Sequence, residues 1–109
     1  MTTNEQIAKV MNFIRYDGAY WHTVNDRMTF ICRVEDFAPD KYLPHAKLLQ
    51  QRMVKDRWNI VMMVHQGGFM MSAWKDNVVR YQTEPEMKEE PAAIVALFVK
   101  VYGIEVEHE

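Results

Sequence analysis

Trp58-Asn59-Ile60-Val61-Met62-Met63-Val64-His65-Gln66-Gly67-Gly68-Phe69-Met70-Met71-Ser72-Ala73-Trp74-Lys75 is the stretch on which the fold turns. Two runs rich in β-branched, aromatic and methionine side chains flank Gln66-Gly67-Gly68, the pattern of an antiparallel hairpin. Trp58, Ile60, Met62 and Val64 fall on one face of the first run, Val61 and Met63 on the other. Both faces are apolar, so the pattern predicts a sheet covered on both sides.

Downstream, Asp76-Asn77 signals a turn and Val78-Val79-Arg80-Tyr81-Gln82-Thr83 a further strand. The acidic spacer Glu84-Pro85-Glu86-Met87-Lys88-Glu89-Glu90 reads as a solvated loop or an extra helical turn, with an acidic recognition loop as its functional alternative. A buried helix then starts at Pro91, which is favoured in the first turn because its missing amide has no acceptor there, and ends at Gly103, suited to a left-handed cap. Upstream, Asp36-Phe37-Ala38-Pro39-Asp40 opens another helix with Asp40 as its expected cap. Leu43, Ala46, Leu49 and Met53 line one face of that helix.

In the first third, Thr3-Asn4-Glu5-Gln6 has the form of a capping box, and a helix is expected over about 4–14. Asp17-Gly18 stops it. Ala19 to Val24 and Met28 to Val34 then form a hairpin around Asn25-Asp26-Arg27. The expectation is an α+β chain in the order αββαββ(β)α. It is a single small domain over 1–109, a mainly antiparallel sheet of about four to five strands sandwiched by three helices. Residues 104–109 alternate like a strand, but as a terminus they are expected to fray.

With 109 residues, 49% hydrophobic and 26% charged, the chain can bury roughly 60–70% of its unfolded surface and needs no staple. Its one cysteine, Cys32, rules out an internal disulfide and suits a reducing compartment. Met1 to Gln6 lacks the basic and apolar segments of a signal peptide, and Ala92 to Val99 is short of the ~20 residues that span a bilayer. A cytoplasmic protein with no membrane partner is expected. A net charge of −2 and an isoelectric point near 6.1 supply no field for nucleic acid or anionic lipid. Locally, Lys47, Arg52, Lys55 and Arg57 read as the solvated face of a helix, with phosphate contact as the alternative.

Asp36 to Asp40 opening a helix, a hairpin with Trp58 and Trp74 near its strand ends, and the helix from Pro91-Ala92-Ala93-Ile94 followed by Gly103-Ile104-Glu105-Val106-Glu107 together resemble the phage ABA-sandwich domain family and the related NinX-type small phage proteins. The resemblance covers residues 36–102. It implies a small sheet sandwiched by helices, encoded on phage or prophage genomes, and it carries over no catalytic residue. The aromatic hairpin from Tyr16 to Val34 departs from the pattern and marks what is individual to this chain.

No constellation has the spacing of a known chemistry. His22, Cys32, His45, His65 and His108 lie ten or more residues apart, without the short paired spacing of a metal site. Ser72, the single serine, lies inside a strand with no nucleophile elbow. Gly67-Gly68 precedes a strand and offers no helix-end amides to a phosphate. Asp36 and Asp40 are accounted for by helix capping. No catalytic residue, cofactor or metal is therefore expected. The methionines are read as core filling, with an adaptable recognition groove as the alternative.

The aromatic hairpin offers the best interface candidates, Tyr16, Tyr20, Trp21 and Arg27, because Trp, Tyr and Arg dominate binding hot spots. These readings converge on a phage or prophage accessory protein that binds a host or defence-system protein without catalysis. A homodimer is expected where an edge strand or the Met-rich face lies open. The alternative is a nucleic-acid-binding regulator acting through the basic helix face. A third reading, an enzyme, requires His22 or His65 in a cleft beside a carboxylate.

Overall fold

The computed structural model describes residues 1–76 and 79–106. Three helices and two three-stranded antiparallel sheets form an α+β chain that divides into two compact units, residues 1–38 with 104–109 and residues 39–103. The one sheet of four to five strands expected from the sequence is thus two sheets, in the orders β1-β2-β3 and β4-β5-β6. Local patterning identifies strands but not which of them share a ladder.

In the first unit, α1 spans Thr3–Val10. Its capping box lies one residue earlier than expected: Thr2 accepts the Glu5 amide at 3.1 Å, and Glu5 accepts the Thr2 amide in return. Thr2-Thr3-Asn4-Glu5 satisfies the box rule as well as Thr3 to Gln6 does, and only the helix start distinguishes them. The helix also ends early, at a turn where Asn12 takes a positive φ of 60°. Ile14 therefore enters β1 (Ile14–Tyr16), which pairs with β2 (Ala19–Val24). A two-residue turn, Asn25-Asp26, with φ of 51° and 63°, leads into β3 (Arg27–Arg33). Both residue types tolerate this left-handed conformation, which matches the twist of the flanking strands.

The core of this unit is aromatic. Phe13, Tyr20 and Phe37 meet pairwise with ring centroids 5.5–6.0 Å apart, beside buried Ile7, Ala8 and Cys32. Asn4 Nδ2 donates to the Phe37 carbonyl at 3.1 Å, fixing the chain after the short 3₁₀ turn Val34–Asp36. The terminal segment does not fray throughout: Ile104 is buried and the Glu105 carbonyl accepts from Gln6 Nε2. Residues 107–109 of the expected frayed tail lie outside the described residues.

The second unit holds α2 (Leu43–Lys55), β4 (Asn59–His65), β5 (Gly68–Lys75), β6 (Val79–Gln82) and α3 (Glu90–Tyr102). The α2 cap is Tyr42, without a side-chain bond, so Asp40 does not cap it; Pro44 instead occupies the first turn. Ala46, Leu49 and Met53 of α2 meet Ala93, Ile94, Leu97 and Phe98 of α3 in the core, while Leu43 stays exposed. α3 also lies on β5 and β6, covering Met71 and Ala73. It starts with Pro91 in its first turn and ends at Gly103 with φ 64°, as expected. The other face of β4 carries exposed Val61 and Met63, so the predicted cover on both faces of the sheet is absent there. Of the further strand expected over 78–83, Val78 lies outside the described residues, as does Asn77 of the preceding turn.

The acidic spacer is not a plain loop. Phe69 and Met87 exchange both backbone hydrogen bonds, at 2.7 and 3.0 Å, which continues the ladder past Thr83. Gly68 makes the approach possible: at its φ of 140°, an added Cβ would lie 2.2 Å from the Met87 carbonyl oxygen. His65 and Lys88 close the same corner, His65 Nε2 against the Pro85 carbonyl and Lys88 Nζ on the Gly67 carbonyl at 3.0 Å.

Candidate protein interface

The register of the first sheet sets Ile14 opposite Trp21, Trp21 opposite Phe30 and Thr23 opposite Met28. Directly opposed residues share a face, so these side chains form one surface across three strands. Trp21 and Phe30 meet edge to face, with centroids 5.5 Å apart and planes at 76°. Trp21 Nε1 donates to the Tyr16 carbonyl at 3.1 Å, which holds the indole against the sheet and satisfies its one donor. Phe30 is 53% exposed, and Ile14 and Met28 are exposed with it. Tyr16, 67% exposed, lies at the open end of this face, whereas Arg27, although exposed, pairs with Val24 and so falls on the opposite face of the hairpin.

Tyr20 does not belong to this surface. It is 4% exposed and points to the opposite side, between Phe13 and Phe37, where burial pushes its phenol pKa up. Of the four residues expected at an interface, Tyr16 and Trp21 lie on the apolar face, Arg27 is exposed on the opposite face of the hairpin, and Tyr20 belongs to the core. Sequence reading also missed Phe30. Strict alternation puts Phe30 on the same side as buried Cys32, but the register shifts opposite Tyr20 and Trp21, where Ile31 is the extra residue of a bulge. That inserted residue turns Phe30 outward beside Trp21. The only sequence signal for Phe30 was its place opposite an aromatic in a hairpin.

The basic residues are not a free patch. Lys47 Nζ lies 3.1 Å from Glu90 Oε1 and bonds Gln50, and Arg52 Nε lies 2.9 Å from Asp56 Oδ2 with its guanidinium over the Tyr102 ring. Lys55 and Arg57 are exposed. Two of the four positive charges are therefore countered within the unit, which weakens the field a phosphate backbone would meet.

The histidines are dispersed and carry local roles. His22 meets the Phe13 ring edge-on, His45 is buried beside the Tyr42 ring, and His65 Nδ1 accepts the Gly67 amide at 3.2 Å. His108 lies outside the described residues. Among the described residues no three His, Cys, Asp or Glu side chains are grouped to hold a metal ion. Burial raises the Cys32 thiol pKa, which keeps it protonated and unreactive. Ser72 is buried within β5.

The most perturbed ionisable pair is Asp56 and Tyr102. The Tyr102 hydroxyl, followed by Arg52, holds the Asp56 carboxyl below its usual range. Burial and then the Asp56 bond drive the Tyr102 phenol well above its own. Both shifts move away from neutral pH, the opposite of what proton transfer needs, and suit a structural clasp. No helix among the described residues is long and apolar enough to cross a membrane. Comparison with protein-family models, with curated proteins and with solved structures gave no match in any of the three.

Proposed function

We propose that this chain is a non-catalytic binding protein whose first sheet docks a protein partner through Trp21, Phe30, Ile14 and Met28, rimmed by Tyr16. The observation that carries this reading is the edge-to-face pair of half-buried Trp21 and exposed Phe30, flanked by exposed Ile14 and Met28. Large apolar side chains left in water on a contiguous face mark interaction sites, and Trp and Arg supply most of the energy in such sites. With the resemblance to small phage proteins, the partner is read as a host or defence-system protein, met in the cytoplasm of a bacterial host.

The test is capture from nuclease-treated bacterial lysate with the tagged protein and with Phe30→Ser and Trp21→Ala, each shown folded by circular dichroism. A stoichiometric protein recovered by the parent and lost in both variants supports the reading. Recovery unaffected by either variant, or recovery that depends on nucleic acid, overturns it.

A further inference from the structure

The second sheet ends on β4, and the backbone of that strand is half unused. Phe69 gives its amide and carbonyl to Met87, and Met71 pairs with Thr83, whose amide donates to the Met71 carbonyl at 2.9 Å and whose Oγ1 accepts the Met71 amide at 2.9 Å. These residues of β5 therefore face away from β4, which makes Val64↔Phe69 and Met62↔Met71 the non-hydrogen-bonded pairs of the β4–β5 ladder. By the same alternation Ile60, Met62 and Val64 turn their amides and carbonyls outward. Among the described residues none of the three has a backbone partner outside the hairpin.

Edge strands are ordinarily guarded by charge, proline, a bulge or short length. β1 has three residues, β6 has four including Arg80, and β3 begins and ends with Arg27 and Arg33. Antiparallel self-pairing of β3 about Phe30 would set Arg27 against Arg33 of the second copy at both ends. β4 runs seven residues, Asn59-Ile60-Val61-Met62-Met63-Val64-His65, with no Lys, Arg, Asp, Glu or Pro and an unbroken register. Its exposed apolar side chains are Val61, Met63 and Val64, Met63 at 51%.

We propose that β4 pairs with β4 of a second copy, antiparallel about a two-fold axis at Met62, joining the two second sheets into one. In this register Met62 faces Met62, and Ile60 faces Val64 of the other copy. Every outward amide and carbonyl is then used, and a shift of one residue would use none. The pairing sets no charge against a like charge. Val61 lies opposite Met63 of the other copy on the exposed face, so two apolar contacts related by the axis are covered. The interface is isologous and closes at two copies. It lies in the second unit and does not depend on the protein-binding face of the first.

Sedimentation velocity on the full chain, run over a concentration series, tests the pairing. The expected result is a reversible shift from monomer to twice the monomer mass. Val61→Lys with Met63→Lys sets lysine against lysine at both symmetric contacts and should weaken association roughly tenfold or more. Val61→Lys with Met63→Glu sets opposite charges there and should restore it. Both positions are exposed, and recovery in the second double variant separates lost pairing from lost folding. A parent that stays monomeric throughout, or two double variants that associate equally well, overturns the proposal.

Discussion

The phenolic hydroxyl of Tyr102 donates to the Asp56 carboxylate, tying the last turn of α3 to the cap of α2, and Arg52 binds the same oxygen. Lys75 Nζ reaches the Asp56 carbonyl at 2.9 Å while lying over the Trp58 ring, so β5 joins the clasp. Three elements, α2, α3 and β5, converge on one aspartate. Tyr102→Phe removes one bond and is expected to cost about 1–2 kcal/mol, read by chemical denaturation.

The pH dependence of that loss has a definite sign. The Asp56 carboxyl is lowered from 3.8, so its contribution is complete above that value and is lost as pH falls through the lowered one. The Tyr102 phenol is raised from 10.0, so its contribution is complete below that value and is lost as pH rises through the raised one. The stability gap between the parent and Tyr102→Phe should be widest at intermediate pH and narrow at both extremes. A gap that stays constant from acid to alkali would show that the clasp is not formed.

Gly68 and Gly103 both have positive φ but differ in their surroundings. A Cβ on Gly68 meets the Met87 carbonyl, whereas one on Gly103 meets nothing within 4 Å. Gly68→Ala should therefore cost about 2 kcal/mol or more and expose the Phe69 amide to hydrogen exchange. Gly103→Ala should cost about 1 kcal/mol, from backbone strain alone. Equal costs in thermal melts would remove the Phe69–Met87 bridge from the account of the fold.

The two faces of the first sheet should separate cleanly in stability. Tyr20→Ala opens a cavity between Phe13 and Phe37 and is expected to cost about 3–5 kcal/mol, while Phe30→Ser, which gives up the ring pair with Trp21 on a half-exposed site, should cost no more than about 1.5 kcal/mol. Urea titrations of the two variants check the assignment. A large loss in Phe30→Ser would place that ring in the core and withdraw it from the interface.

Cys32 provides an independent probe of the first unit. The thiol is buried and its pKa raised, so labelling by a disulfide reagent should be slow in the native protein and rapid in denaturant. Labelling of the native protein at the denatured rate would mean that β3 does not hold its place against the core.

Much of this architecture was legible in the chain itself. Three helices, two hairpins and the Gly103 stop follow from composition and spacing within a dozen residues, because capping, turn chemistry and amphipathic periodicity are local. The aromatic first hairpin, too, stood out in the sequence as the candidate interface, since Tyr16 and Trp21 lie in it. Tertiary structure alone decided the remainder. The bulge at Ile31 brought Phe30 onto the exposed face beside Trp21, because one extra residue reverses side-chain direction along β3 and alternation cannot reveal it, whereas the inward turn of Tyr20 follows from its place next to Trp21 in β2. The separation into two sheets, the return of Met87 to Phe69 and the open edge of β4 depend on which strands find each other across tens of residues. Such pairings are set by backbone hydrogen bonds common to every residue type, so the side-chain pattern leaves them undetermined until the chain has folded.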